Sequence, residues 1–324
     1  MKAKILFPAA FFVAWSGILS CGDSSENKQA SNDRDSLQAQ LSLSGAFALY
    51  PLAVKWTEEY HKLYPKVTFD VQAGGTGKGC ADALSGMVDA GMVSRPLSPE
   101  ETARGAWPVT VAKDAVVATV HAENPYLGML NSKGITRSQF RKIWIDGTIR
   151  TWGDLLGNGS KEKIQVFTRS DAAGAPETWA RFLGSTQENL KGIGVFGDPG
   201  VAESVAQDKL ALGYNNANYV YDLGSKTPYE GLRPVPLDLD SNGILEGKEN
   251  FYGSMDELNR AITEGFYPSP PARELYFVYK GKPSHPAMKK FLKWVLTEGQ
   301  RYVETSGYVS LDEQQLKKEL QKLK

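Results

Sequence analysis

The sequence predicts an α/β protein of two lobes, built from two mixed sheets flanked by helices, with two strands crossing between the lobes. Three observations lead there. Between about Leu41 and Ala112, short strand-like runs alternate with amphipathic segments, the pattern of a parallel sheet with helices on its faces. Two apolar runs, Val109 to Ala118 and Leu275 to Val278, bracket the middle of the chain. The segment between them, Ile135 to about Gly265, carries helices and strands of its own. Inserting one lobe into the other accommodates all three. Residues 41–115 with 270–324 then form the first lobe, and residues 116–269 the second.

Each element has its reason. Leu41 to Ser44 reads as a strand ending at Gly45. Leu49, Leu52, Ala53, Trp56, Tyr60 and Leu63 then recur at helical spacing. Lys66 to Val71 alternates as a strand does. The glycine-rich stretch Gly74 to Gly79 opens a helix carrying Ala83, Leu84 and Met87, and Val88 to Val93 is the next strand. In the middle segment, Ser138 to Trp144, Ile164 to Phe167, Pro176 to Leu183 and Val201 to Gln207 stand out. The tail reads as helical from Pro286 to Thr297 and from Glu298 to Glu304, with a charged stretch from Asp312.

The start of the chain sets the expected compartment. Lys2 and Lys4 precede an apolar run, Ile5 to Leu19, broken by Pro8, Ser16 and Gly17 and followed by Ser20 and Cys21. A charged start, a short apolar core and a small residue before a cut site describe a secretory signal over residues 1–20. Ile18-Leu19-Ser20-Cys21 resembles a bacterial lipobox, which implies lipidation of Cys21 and a membrane anchor; the alternative is an ordinary signal with a chance cysteine. Residues 21–40 are polar and read as a flexible tether. The expected location is therefore the periplasm or cell surface.

Composition narrows the function. The chain has 37 basic and 37 acidic residues, a balance that offers no broad footprint for nucleic acid. Cys80 has no partner once Cys21 is modified, and His61, His121 and His285 are scattered. Cys80 is read as a buried structural cysteine. With no paired histidine, metal spacing or nucleophile elbow, an enzyme is the least favoured class; no catalytic residue, metal or cofactor is expected, and the protein is expected to be a monomer.

Three strand-to-helix junctions could carry a site: Gly45 to Ala48, Gly74 to Gly79, and Arg169 to Pro176. Each sets the free N–H groups of a helix start at the carboxyl end of a strand, where anions bind. Gly74 to Gly79 is not a nucleotide loop, because Lys78 is followed by Gly79 rather than Ser or Thr. Arg95 and Arg169 each follow a strand, where a guanidinium can hold an oxyanion by two parallel hydrogen bonds. The alternative for either is a surface or interlobe ion pair, with Asp171 or Asp114 as partner.

These residues resemble a known family. Ser44 to Leu52, Gly74-Gly75-Thr76-Gly77 and Ser94-Arg95-Pro96-Leu97 look like the first lobe of the phosphate-binding proteins of ABC transporters. Val111 to Asp114, with His121 to Pro125, resembles that family's crossover, and Arg169-Ser170-Asp171 with Gly174 its second-lobe phosphate loop. Leu212-Gly213-Tyr214, Tyr267 to Phe277 and Trp294 to Val309 continue the likeness almost to the end. The resemblance implies a type II periplasmic binding-protein fold that encloses phosphate between its lobes and delivers it to an ABC permease. It implies ligand contacts from Phe47, Ala48, Thr76, Ser94, Arg95, Arg169, Ala173, Gly174 and Ala175, with Asp171 holding Arg169 in place.

The chain departs from the family pattern in its side chains. Ala46-Phe47-Ala48 lacks the usual hydroxyl, and Ala173-Gly174-Ala175 stands where Ser-Gly-Thr is usual. Ser94 replaces the aspartate that accepts the phosphate proton. Each lost hydrogen bond to a charged group removes roughly 1.5–3 kcal/mol. A different oxyanion or small anion on the same scaffold is therefore the second reading, and a sensor or adhesion lipoprotein the third.

Overall fold

The structure, a computed structural model, describes residues 37–324. The expected signal, Cys21 and all but the last residues of the tether lie outside the described residues. Of the tether's last residues, Ala39 and Gln40 already belong to the first strand, β1 (Ala39–Gly45).

The first lobe begins β1, α1 (Tyr50–Leu63), β2 (Val67–Ala73), α2 (Thr76–Ser85), β3 (Ala90–Val93) and α3 (Pro99–Ala103). Strand β1 pairs in parallel with β2 on one side and β3 on the other. Helix α1 buries Leu52, Ala53, Trp56 and Tyr60, the stripe the spacing predicts. Helix α2 stops at Ser85, two residues short of Met87. Gly86 adopts φ +75° and caps it, leaving Met87 at 75% exposure outside the apolar stripe.

The long strand β4 (Ala106–His121) leaves the first lobe and enters the second. There follow α4 (Leu127–Lys133), β5 (Ile135–Thr136), α5 (Arg137–Arg141), α6 (Trp152–Leu156), β6 (Gln165–Arg169), α7 (Gly174–Phe182), β7 (Ile193–Val195), α8 (Gly197–Gln207), β8 (Ala211–Asn216), β9 (Leu232–Pro234), β10 (Leu237–Asp238) and α9 (Met255–Thr263). Strand β11 (Ala272–Lys280) returns to the first lobe, and α10 (Pro286–Val295) and α11 (Glu313–Lys322) finish the chain. Glu298 to Tyr302 forms a 3-10 turn rather than a regular helix.

The two sheets are joined edge to edge through the crossing strands. Ala106 to Ala115 of β4 pairs with β11, and Val116 to Val120 pairs with β8. Strand β11 also pairs with β3, so one sheet runs β2-β1-β3-β11-β4-β8-β6-β7. The β-branched run along β4 suits a strand buried on both faces.

Two cores flank this shared seam. In the first lobe, Tyr60, Phe291 and Trp294 interlock with Leu41, Leu43 and Phe277, Tyr60 meeting Phe291 edge-on at 5.1 Å. In the second, Phe140, Trp144, Trp179 and Tyr214 form a fully buried aromatic group, with Trp144 edge-on to Trp179 at 5.4 Å.

Helix α2 sits hard against the sheet, and glycines make this possible. A methyl group at Gly79 would lie 2.6 Å from Met92 O, 2.7 Å from Gly45 Cα and 2.7 Å from Ser44 O, all of them backbone atoms. That contact fixes where the N-terminus of α2 points. Gly79→Ala is expected to destabilise the protein by about 1–3 kcal/mol, the usual range for overpacking, measured by guanidinium titration followed by tryptophan fluorescence.

Candidate functional site

The three junctions converge where the lobes meet. Gly174, first residue of α7, lies against the first lobe so closely that an added methyl would be 2.1 Å from Ser94 Oγ and 2.9 Å from Thr76 Oγ1. Gly77 N donates across the interface to Ala172 O at 3.3 Å. Phe47 meets Phe196 edge-on at 6.1 Å, and Tyr219 Oη donates to Phe47 O at 3.3 Å. The lobes are closed on each other.

The donors here are mostly backbone. Thr76 and Gly174 begin helices, so the N–H groups of their first turns have no intrahelical acceptor. The N–H groups of Phe47 and Ala48 likewise meet no acceptor among the described residues. Thr76 and Ser94 are buried, their hydroxyl oxygens 3.0 Å apart, and Ser94 N donates to Thr76 Oγ1 at 3.1 Å. Ala48, Ala173 and Ala175 are also buried. Their side chains bring no polar group to the cleft.

Arg169 supplies the charge. It ends β6, its side chain is 1% exposed, and its guanidinium lies 5.4 Å from the centre of the Phe47 ring. Nε donates to Asp171 Oδ1 at 2.7 Å, and the two terminal nitrogens donate to Asp171 and Asp198. Burial works against the charge, but the Asp198 and Asp171 carboxylates more than offset it and raise the guanidinium pKa. Burial likewise pushes the Asp171 carboxyl up, yet the bonds from Arg169 leave it below the usual carboxylate range. Asp171 thus accepts from Arg169 with both of its oxygens.

Asp198 is the partner that sequence reasoning missed. It lies in the first turn of α8, is 1% exposed, and accepts from Asn216 N at 3.2 Å. Asn216 Oδ1 in turn accepts from Arg273, which grips Asp114 with Nε at 2.8 Å and a terminal nitrogen at 3.1 Å. A buried polar chain thus joins Arg169 to both crossing strands. Asp114 is therefore an ion-pair partner of Arg273 rather than of Arg95 or Arg169. The sequence signal for Asp198 is slight: a Gly-Asp-Pro-Gly turn opening a helix.

Arg95 has a different use from Arg169. Its terminal nitrogens each meet a Glu101 oxygen at 2.7 Å, and its Nε meets Glu177 Oε2 on α7, also at 2.7 Å. The side chain lies along the lobe interface and ties the lobes together. Burial pushes Glu177 up, partly offset by Arg95. Lys78 of the glycine-rich turn pairs with Asp82 along its own helix.

Chemically, the arrangement can enclose a small anion. It offers helix starts from opposite lobes, a free turn at Phe47 and Ala48, and one arginine held by two carboxylates. A closed, buried cleft with these donors defines a two-lobed ligand-binding protein. The chain belongs to the PBP superfamily: the sequence model of the PBP superfamily domain matches residues 30–298. It is 29% identical over 315 residues to phosphate-binding protein PstS of Pseudomonas aeruginosa, covering 89% of this chain and 88% of that one. It is 24% identical to phosphate-binding protein PstS of Staphylococcus haemolyticus, over 94% of this chain and 91% of the relative. An X-ray structure from Clostridium perfringens that holds bound phosphate has the same fold, with TM-score 0.69 and 24% identity over 85% of this chain and all of the other. An ABC-type phosphate transport receptor from Vibrio cholerae superposes with TM-score 0.60 at 18% identity, over 84% of this chain.

Cys80 belongs to the scaffold behind the cleft. It is 1% exposed, and burial, then the neighbouring Glu101, push its thiol up to about 12. A disulfide-exchange reagent at pH 8 is expected to leave Cys80 unlabelled in folded protein lacking the first 29 residues. The same reagent should label it fully after guanidinium unfolding; fast labelling of the folded form would contradict this.

Proposed function

We propose that this chain is an extracytoplasmic receptor that binds inorganic phosphate between its lobes and hands it to an ABC permease, without catalysing a reaction. The observation that carries the reading is the buried Arg169, held by Asp171 and Asp198, beside helix starts that face each other across the cleft. The relatives named as phosphate-binding proteins support it. Phe47, Ala48, Thr76, Ser94, Arg169, Ala173, Gly174 and Ala175 are the proposed ligand contacts. Arg95 acts with Glu177 to hold the lobes shut. A signal over residues 1–20, a lipid on Cys21 and a polar tether place the monomeric receptor on the outer side of a membrane; no helix among the described residues is long and apolar enough to cross one.

Electrostatics favour recognition by dipoles over net charge. Two guanidinium groups, Arg95 and Arg169, stand among four carboxylates, Glu101, Glu177, Asp171 and Asp198. An entering anion meets a site already rich in negative charge, so oriented N–H groups must supply most of the attraction. Ser94 can donate a hydrogen bond, and Ala173 and Ala175 contribute no hydroxyl. These replacements favour a second reading, in which a fully ionised oxyanion such as sulfate is the ligand.

Isothermal titration of the chain from residue 30 onward separates these readings. Phosphate is expected to bind, and Arg169→Ala to weaken binding by about tenfold to a hundredfold, the value of one charged hydrogen bond. Heat from sulfate but none from phosphate would select the second reading. No heat from any anion, with normal circular dichroism, would leave a sensor or adhesion lipoprotein. Closure has its own test: small-angle scattering is expected to show compaction on saturation with phosphate. Gly174→Ala, whose methyl would strike Ser94, is expected to reduce both compaction and affinity, the latter about fivefold or more; unchanged binding would argue against the closed cleft as the ligand site.

A further inference from the structure

Away from the cleft, three carboxylates of the second lobe converge on one point. The ribbon β5–β10 ends at Asp238, which pairs with Thr136, and the chain then loops to a 3-10 turn at Gly247–Glu249. One oxygen from each of Asp238, Asp240 and Glu249 lies within 4.8 Å of the other two. Asp238 and Glu249 are only 5% and 7% exposed.

Four of the six carboxylate oxygens accept hydrogen bonds and two do not; Asp240 accepts from Asn242 N at 3.1 Å and from Asn242 Nδ2 at 3.0 Å. Asp238 Oδ2 accepts from Gly243 N at 3.1 Å, and Glu249 Oε1 accepts from Leu239 N at 2.6 Å and Asp240 N at 3.2 Å. The remaining oxygens, Asp238 Oδ1 and Glu249 Oε2, are buried with no hydrogen-bond partner. No lysine or arginine among the described residues pairs with any of the three carboxylates. Carboxylate oxygens gathered this closely, two of them buried with no hydrogen-bond partner, favour a cation between them.

The sequence says which cation. In Asp238-Leu239-Asp240-Ser241-Asn242-Gly243-Ile244, with Glu249 twelfth from the start, side-chain oxygens fall at the first, third, fifth and twelfth places and glycine at the sixth. That is the spacing of a twelve-residue calcium loop, in which the seventh residue, here Ile244, contributes its carbonyl. Gly243 adopts φ +76°, as the sharp turn requires. The donors are all hard oxygens, which suit calcium over transition metals. The expectation of no metal spacing therefore fails on this loop.

We propose that Asp238, Asp240, Asn242 and Glu249, with the carbonyl of Ile244, form a calcium site that staples residues 238–249 to the second lobe. A strand precedes the loop and a single 3-10 turn ends it, so the ion acts as a staple and does not spread a helix pair. The site is separate from the cleft. Asp238 and Leu239 line a groove with Arg181 and Phe182, at the opposite end of α7 from Gly174.

The test is calorimetric titration of chelator-treated protein, residue 30 onward, with calcium chloride in phosphate-free buffer. One site per chain is expected, with a dissociation constant of about 10⁻⁶–10⁻³ M and magnesium weaker by about tenfold or more. Calcium should also raise Tm. Asp238→Asn and Glu249→Gln are each expected to weaken calcium binding about tenfold or more, yet to melt no lower than wild type in chelator, because each removes one of two facing charges. Asp240→Asn, at an exposed position, should weaken binding without disturbing the fold and covers the case in which a buried variant misfolds. Absence of heat and of any Tm shift at about 10 mM calcium, above the weakest such loops, overturns the proposal. So does a calcium response that persists unchanged in the folded variants.

Discussion

A guanidinium buried between two carboxylates is the constraint on which this molecule turns. Arg169 cannot keep its charge in a closed interface unless something fixes it there, and Asp171 and Asp198 do so from two different elements. A lone buried charge costs several kcal/mol, whereas one gripped on several sides is retained. Because Asp198 is itself bound to Asn216, and Asn216 to Arg273, the position of this charge is tied to the strands that cross between lobes. The buried guanidinium and the crossing strands are one connected piece of polar structure.

Around that charge, the donors without an acceptor are mostly backbone. The alanines at 48, 173 and 175 carry no polar side-chain atoms, so the donors beside them are the N–H groups of helix starts. Such donors depend on the backbone path, which the close glycine contacts of Gly45, Gly79 and Gly174 define. The placement of these donors therefore rests on small residues that look uninformative one at a time.

Much of this was legible in the sequence. Alternating strands and helices, the glycine-rich turn and the arginine after a strand are local patterns, and local patterns survive translation into structure. The end of α2 was misplaced because Met87 looked apolar in register, while Gly86 stops the helix in a left-handed turn. The ion-pair partner of Arg95 was misplaced for a similar reason. The Ser98–Glu101 capping box holds Glu101 beside it, and a partner six residues away outcompetes a distant one. Asp198 and Glu177 could not be found, because their contacts join segments far apart in sequence. The acidic loop after β10 is legible residue by residue, because its oxygen-bearing side chains and Gly243 lie within one short stretch.

The shared seam has a consequence for how the protein is made. The first lobe is discontinuous: β3 waits for β11, and the Tyr60 cluster waits for Phe291 and Trp294. The second lobe, by contrast, is built almost wholly from one uninterrupted stretch of chain. As the polypeptide emerges, the inserted lobe can assemble while the N-terminal lobe still lacks the strand that joins β3 to β4. The first part synthesised is thus the last to be completed, and the long-range pairing that completes it makes slow closure intrinsic to the topology.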